Sequence, residues 1–367
     1  MTALVKEEPE EGGTKSSSFL KKSSSFLKSF PTPTNNSIYL SSLTESNLRL
    51  LDTTQQSVKS KEMRSSHEND MPRTSGSGRS VSYTSATFKF ELKRRGVFGT
   101  MRLPPGWEEW SNVVNEASHN NELAHDGTLL EAQVLLLEAA SESAVLVGVV
   151  PKLLPMDNIL LSSQFEAAYT SLWKIDPLPS LDVRARRLPS PKPDVTIGYN
   201  WEFLGSPRAM EALSTFSMPV TCSSELAFPI FTSEAKGFGS TVYSQRQNMH
   251  NGACMLRNLC HLRSLARKGR ENDNLVIFTA SVSPEKVSLH SHWVENIRGQ
   301  LTYPSREIRS WSPGSDNLNS AIETFSNIIY ESLQMHATWI REDLQTLDLA
   351  LEQHEGPSER IASMPSS

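Results

Sequence analysis

Long apolar runs are missing from this chain of 367 residues. No stretch of about 18 consecutive apolar residues occurs, so a membrane-spanning helix is not expected. The opening MTALVKEEPEEGG lacks the apolar centre of a secretory signal. Cysteine is scarce: Cys222, Cys254 and Cys260 make an odd count without CxxC spacing. That argues against a disulfide framework and a zinc knuckle, and for a reducing compartment, either nucleus or cytoplasm. Excess positive charge is also missing. The net charge is −5, which disfavours a protein that coats nucleic acid indiscriminately but permits an enzyme with a local basic groove.

Residues 1–95 contain few large apolar side chains and many Ser, Thr, Lys and Glu. Such a stretch buries too little apolar surface to offset its ordering entropy, and a disordered tail is expected there. Within it SSSFLK occurs at Ser16–Lys21 and again at Ser23–Lys28, a segment suited to docking a protein partner or to phosphorylation. Residues 96–352 are long enough for a large α/β domain, and residues 353–367 read as a frayed end.

Order is expected to begin near Ala86–Val97, where TFKFELKRRGVF alternates like a strand. PPGW at Pro104–Trp107 is a turn, and EEWSNVVNEA, Gly127–Ser141 and Ser162–Trp173 read as helices. A connector rich in proline and arginine follows, in which Pro189, Pro191 and Pro193 forbid a central strand. DVTIGY and AFPIFTSEAK then read as strands, with Pro229 at a strand start or an edge. After the KGFGS turn a helix is predicted over Thr241–Lys268, with Met249, Ala253, Leu256 and Cys260 on its buried stripe. NLVIFTAS and KVSLHSHWV are strands joined through Pro284. A last helix spans Asp316–Leu351, with Asp316 as its N-cap and Ile322, Phe325, Ile329, Leu333, His336 and Ile340 facing the core. The expected architecture is a central mixed sheet flanked by helices.

One constellation suggests chemistry. Asp194 opens the strand PKPDVTIGY, and Glu234 and Lys236 end the strand FPIFTSEAKG. Side chains of a strand alternate between faces, so Glu234 and Lys236 project together while Ala235 points the other way. Two carboxylates and the Ala235 carbonyl suit a hard cation such as Mg²⁺ or Mn²⁺, which prefers oxygen ligands and retains waters. A lysine beside it would orient an attacking water or neutralise charge on a phosphate. The Gly-Phe-Gly turn that follows permits close approach of a ligand to the backbone.

PKPDVTIGY, FPIFTSEAKG and the helix YSQRQNMHNGACMLRNL resemble the core of the PD-(D/E)XK nuclease superfamily, and within it a group of fungal nuclease-like domains. The resemblance spans roughly Pro191 to Ile340 and implies a restriction-endonuclease-like core ordered α-β-β-β-α-β. It implies metal binding by Asp194 and Glu234, catalytic assistance by Lys236, support from Gln247, and nucleic acid as substrate. It also implies a further helix-borne acid, for which Glu131, Glu138 and Glu166 are candidates. The forty residues between Asp194 and Glu234 require an inserted element around SPRAMEALSTF. A binding or regulatory module that keeps this fold without turnover, and takes partners through the tail, is the alternative.

Other chemistry-bearing residues carry weaker signals. His290 and His292 share a strand face and read as solvated polar positions, because no third ligand stands at metal spacing. His336, Cys254 and Cys260 read as core. GFGS lacks the Gly-Lys-Ser/Thr ending of a phosphate loop. Arg184, Arg186, Arg187 and Lys192, and separately Arg263, Arg267 and Arg270, either line a phosphate groove or are ordinary solvated charge. Tyr199 and Trp201 serve either as base-stacking surfaces or as core.

Overall fold

Three apolar runs, LAFPIFTSEA, VIFTASV and VSLHSHW, are buried at every position and form the middle of one sheet. The computed structural model describes residues 80–115, 141–154, 162–173, 178, 185–213, 226–239, 241–266, 275–313 and 318–354. Its helices are α1 (Phe88–Lys93), α2 (Trp107–Asn115), α3 (Glu142–Ala144), α4 (Val150–Leu153), α5 (Trp201–Leu204), α6 (Pro207–Ala212), α7 (Thr241–Ala266) and α8 (Asn319–His354). A π-helical turn, Val145–Val149, joins α3 to α4. The strands are β1 (Val97–Gly99), β2 (Phe165–Tyr169), β3 (Val195–Asn200), β4 (Leu226–Ala235), β5 (Val276–Val282), β6 (Val287–Trp293), β7 (Glu295–Ile297) and β8 (Gln300–Trp311).

The eight-stranded sheet runs β1-β8-β6-β5-β4-β3-β2, with β7 paired to β8 off this path. It is mixed: β1–β8 and β4–β5 are parallel and the other pairs antiparallel. Helices cover both faces, which explains why the central strands are buried at every position even where, as in β6, polar and apolar residues alternate. Among the described residues no helix is long and apolar enough to cross a membrane.

The two faces differ in chemistry. Towards α8 and α2 the contacts are aromatic: Phe231 meets Phe325 at 6.3 Å between ring centroids, and Phe278 meets Trp110 at 4.7 Å. Towards α7 they are polar. Asn248 donates to Ala280 O at 3.0 Å and to Ser281 Oγ at 2.7 Å, and His292 Nε2 pairs with Thr279 Oγ1 at 2.9 Å. Gly252 lets α7 lie close, because a Cβ there would sit 2.5 Å from the His292 ring.

Several expectations change. Phe88–Lys93 is a helix rather than a strand: Phe88 and Leu92, four apart, are fully buried while Phe90 is exposed. The folded region therefore extends upstream of the expected boundary at residue 96, since Val81, Phe88 and Leu92 join the main core. The predicted helix Ser162–Trp173 holds strand β2 instead, in register with β3 from Phe165↔Tyr199 to Tyr169↔Val195. Ala and Glu favour a helix locally, but pairing along β3 overrides that preference. Pro229 lies inside central β4, not at an edge. It follows Phe228, whose φ is +44°, where the β3–β4 register shifts between Ile197 and Tyr199. Gly198 faces that irregularity, where a Cβ would stand 2.7 Å from Ala227 O. Strands β7 and β8 carry no clear signal in the sequence, and β1 takes only Val97 and Phe98 from the end of the stretch read as a strand. The Pro104–Trp107 turn, α2, β3, β4, α7, β5, β6 and α8 form as expected. The SSSFLK repeat, most of the expected helix Gly127–Ser141, Cys222 and the Asp316 cap lie outside the described residues.

Candidate metal and active site

β3 begins one residue after Asp194, and Val195 pairs with Ser233 and Thr196 with Thr232. Continuing that register by one step sets Asp194 opposite Glu234, so their side chains leave the sheet on the same face, towards α7. The Asp194 carboxylate accepts the Ala235 N–H at 2.7 Å. Lys236 Nζ lies 3.5 Å from Asp194 Oδ2 and 3.3 Å from Glu234 Oε2, and donates to Ala235 O at 2.7 Å. The two acids, forty residues apart in the chain, thus share one ammonium. Lys236 N–H donates to Val282 O at 2.9 Å, which extends the β4–β5 ladder and fixes the backbone under the site.

Two further residues complete the arrangement. Asn251 on α7 donates to Glu234 Oε1 at 2.8 Å. Glu142, at the start of α3, places Oε1 3.3 Å from Lys236 Nζ and is half-exposed. Ser141 caps α3 by accepting the Ala144 N–H at 3.2 Å. Gln247 stands on α7 one turn before Asn251, half-buried and on the same helix face. Asn251 has no sequence signal beyond that spacing from Gln247. Glu142 is a helix-borne acid that reaches Lys236, and it is none of the three candidates Glu131, Glu138 and Glu166. Glu166 pairs with Gly198, four residues along β3 and so roughly 13 Å away from Asp194. Glu131 and Glu138 lie outside the described residues.

Burial governs the electrostatics. Glu234 is 1 % exposed, and desolvation pushes its carboxyl up to about 8 despite Lys236. The Asp194 charge adds to that rise, and the Asn251 hydrogen bond opposes it. Desolvation also raises Asp194, against the pull of Lys236. For Lys236 burial alone would lower the pKa, but Glu234, Asp194 and Glu142 together outweigh it and the net shift is upward. The lysine therefore stays charged while Glu234 retains a proton near neutrality.

Among the described residues no group of three or more His, Cys, Asp or Glu side chains converges as a metal cage. The centre is a carboxylate pair with adjacent carbonyl oxygen, and it fits the class of cation that needs only one or two carboxylates and keeps waters. Its donors are all oxygen, and a cation bound there would take the place of the proton that burial otherwise keeps on Glu234.

The other candidates resolve differently. His290 and His292 are not on a solvated face: both are buried under α7, with His290 Nε2 paired to Ser288 Oγ at 3.1 Å. Tyr199 is core, its hydroxyl donating to Leu333 O at 2.7 Å, and Trp201 is half-buried. Arg263 packs 4.4 Å over the Trp339 ring and lies 3.9 Å from Asp343, a structural role; Arg267 and Arg270 lie outside the described residues. Arg186, Arg187 and Lys192 are exposed upstream of Asp194, while Arg184 lies outside the described residues. His336 and the two helix cysteines are buried, and burial pushes the Cys260 thiol up to about 12, which makes it a poor nucleophile.

Fold and site together define an α/β protein with a carboxylate–lysine centre at the ends of two adjacent strands. Residues 130–344 match the family described as a domain of unknown function, DUF7924, and the chain belongs to that family. No curated protein matches it.

Proposed function

We propose that this protein is a divalent-cation-dependent phosphodiesterase acting on nucleic acid, built on a restriction-endonuclease-like core of the PD-(D/E)XK type. The observation that carries the reading is the meeting of Asp194 and Glu234, from neighbouring strands, on the single ammonium of Lys236. The order of elements supports it. Among the described residues between 142 and 282 the order is helical segment, β2, β3, β4, α7, β5, with α5 and α6 between β3 and β4. That is the α-β-β-β-α-β sequence which the resemblance implies.

In this reading Asp194 and Glu234, with the Ala235 carbonyl, hold Mg²⁺ or Mn²⁺. The cation, when bound, would acidify a water and neutralise charge on the phosphate. Asn251 fixes the Glu234 carboxylate through Oε1, leaving Oε2 directed at the centre. Lys236, released from Ala235 O, directs its ammonium to the attacking water or to a phosphate oxygen. Gln247 supports the α7 side. Glu142 guards the exposed side, from which a phosphodiester would enter.

A second reading is a nuclease-fold binding module without turnover, with protein contacts through the N-terminal tail. Closure of Lys236 onto Ala235 O at 2.7 Å favours it, because the ammonium already fills the space between the acids. Incubation of the purified chain with DNA and RNA, in Mg²⁺ or in EDTA, separates the two. The phosphodiesterase reading expects EDTA-sensitive cleavage that Asp194→Ala and Glu234→Ala each abolish. Cleavage that survives both substitutions refutes it, and absence of both cleavage and Mn²⁺ binding leaves the binding module.

A further inference from the structure

The end of the connector that delivers Asp194 is held by residues just past β2, where the Thr170 N–H donates to Asp194 O and the Trp173 N–H to Pro191 O, both at 2.9 Å; further upstream another segment must hold that backbone. Residues 81–95 do so. The Val81 N–H donates to Arg187 O at 3.0 Å. The Arg186 N–H donates to Glu91 Oε2 at 3.2 Å. Arg95 donates to Leu178 O at 3.3 Å and to Arg186 O at 2.7 Å. Arg95 is itself locked by Glu91, whose carboxylate lies 3.1 Å away, with both side chains buried. A buried, mutually neutralised pair thus spends its remaining donors on carbonyls of the connector.

The same segment grips α7. Tyr83 Oη pairs with His250 Nδ1 at 3.1 Å. Arg246 donates to Tyr83 O at 2.9 Å and to Ser85 O at 3.2 Å. The Tyr83 ring packs 4.6 Å from Phe88, which in turn meets His250 edge-on at 5.8 Å. His250 immediately precedes Asn251, the residue bonded to Glu234. One short segment therefore touches the backbone leading to Asp194 and the helix turn that holds Glu234.

We infer that residues 81–95, upstream of the family-matched segment, form a clamp that sets the relative position of Asp194 and Asn251 and so the cation affinity of the acid cluster. The inference rests on the cation-site reading above. Its physical basis is tolerance: functional groups must be held within about 0.5 Å of productive geometry, and supporting residues achieve that. The clamp residues are positioning residues and touch neither cation nor substrate.

The test uses the full chain with two variants, Arg95→Gln and the double variant Tyr83→Phe/Arg246→Gln. The first strands buried Glu91, so the milder double variant carries the test if the first fails to fold. Mn²⁺ titration calorimetry and hydrogen exchange over residues 185–195 are the readouts, with melting temperature as control. The expected result is Mn²⁺ affinity about tenfold weaker in folded variants, in the range seen when residues supporting metal ligands are removed. Arg95→Gln should also exchange faster over 185–195. Affinity within twofold of the parent in every folded variant overturns the clamp, even if exchange changes. A parent chain that binds no Mn²⁺ overturns the cation reading instead. The clamp is then judged on exchange alone, and unchanged exchange at 185–195 in Arg95→Gln overturns it.

Discussion

Glu234 makes the stability of the cation-free protein depend on pH in an unusual direction. Its carboxyl is pushed by burial from 4.5 up to about 8, so between those values the folded chain holds a proton that the unfolded chain has released. Stability then falls as pH rises through this window and is fully retained only below it. Buried histidines act in the opposite sense. His250, lowered to about 3, and His290 and His336, each lowered to about 4, stay neutral in the fold, so their contribution grows with pH up to the ordinary histidine value of 6.5. Above pH 6.5 the histidine effect is complete and Glu234 remains. One proton over 1.5 pH units is worth about 2 kcal/mol at most, with the effect of Lys236 already contained in the value of about 8. For a domain of this size that is a fall of roughly 3–8 °C in melting temperature. The assay is calorimetric melting in EDTA from pH 6.5 to 8, for the parent and for Glu234→Gln, whose amide cannot ionise. The parent should lose stability relative to the variant across this range. Added Mg²⁺ should cancel the loss, because cation binding favours the deprotonated carboxylate. A difference between parent and variant that stays constant from pH 6.5 to 8 would show that Glu234 ionises normally, and the account of a desolvated site would be wrong.

Lys236→Met leaves two buried carboxylates without their shared cation and should cost about 3–5 kcal/mol at pH 8, with recovery on acidification or on adding Mn²⁺, as read by melting. Asn251→Leu removes the donor at Glu234 Oε1 and should cost about 1–3 kcal/mol, more at pH 8 than at pH 6; equal losses at both pH values would argue against a charged acceptor. Gly252→Ala drives a methyl into the His292 ring and should destabilise by about 1–3 kcal/mol, whereas an unchanged melting temperature would show that α7 is not held tightly on the sheet. Tyr199→Phe should lower stability by about 1 kcal/mol through loss of the bond to Leu333 O, with no change in nucleic-acid affinity in a filter-binding assay.

The parts of the site that sequence reveals are those whose geometry is local. Glu234 and Lys236 are two apart on a strand marked by an unbroken apolar run, so period two places them on one face without knowledge of any other element. Asp194 is visible as the residue that opens a strand, but its pairing with Glu234 is a matter of register. The register crosses the 25 residues between β3 and β4, which hold α5 and α6, and then the irregularity at Phe228 within β4, none of which can be counted through. Where two periods coexist, sequence misleads. Phe88, Phe90 and Leu92 satisfy a period of two, and only the burial of Phe88 and Leu92 with exposure of Phe90 shows that the period of four prevails. β8 is hidden for another reason: REIRS places charged side chains inside a strand whose partner β6 supplies the burial.

Asn251, Glu142 and Tyr83 fall outside any such pattern, and the cause lies in α7. A helix with one wet face announces its orientation through an apolar stripe, and a polar residue within that stripe stands out. α7 is buried over most of its length, and its sheet-facing side is itself polar, with Asn248, Asn251 and Asn258 all enclosed. The stripe through Met249, Ala253, Leu256 and Cys260 marks one side of α7, and Asn251 lies off it, so that stripe does not single Asn251 out. The polarity belongs to the opposing surface, where Thr232, Glu234, Thr279, Ser281, His290 and His292 leave the sheet towards α7. A buried carboxylate at the end of that surface needs a donor from above, which Asn251 supplies to Glu234, while Asn248 serves Ala280 O and Ser281 on β5. The same helix meets residues 81–95 through His250, whose Nδ1 pairs with Tyr83 Oη at 3.1 Å.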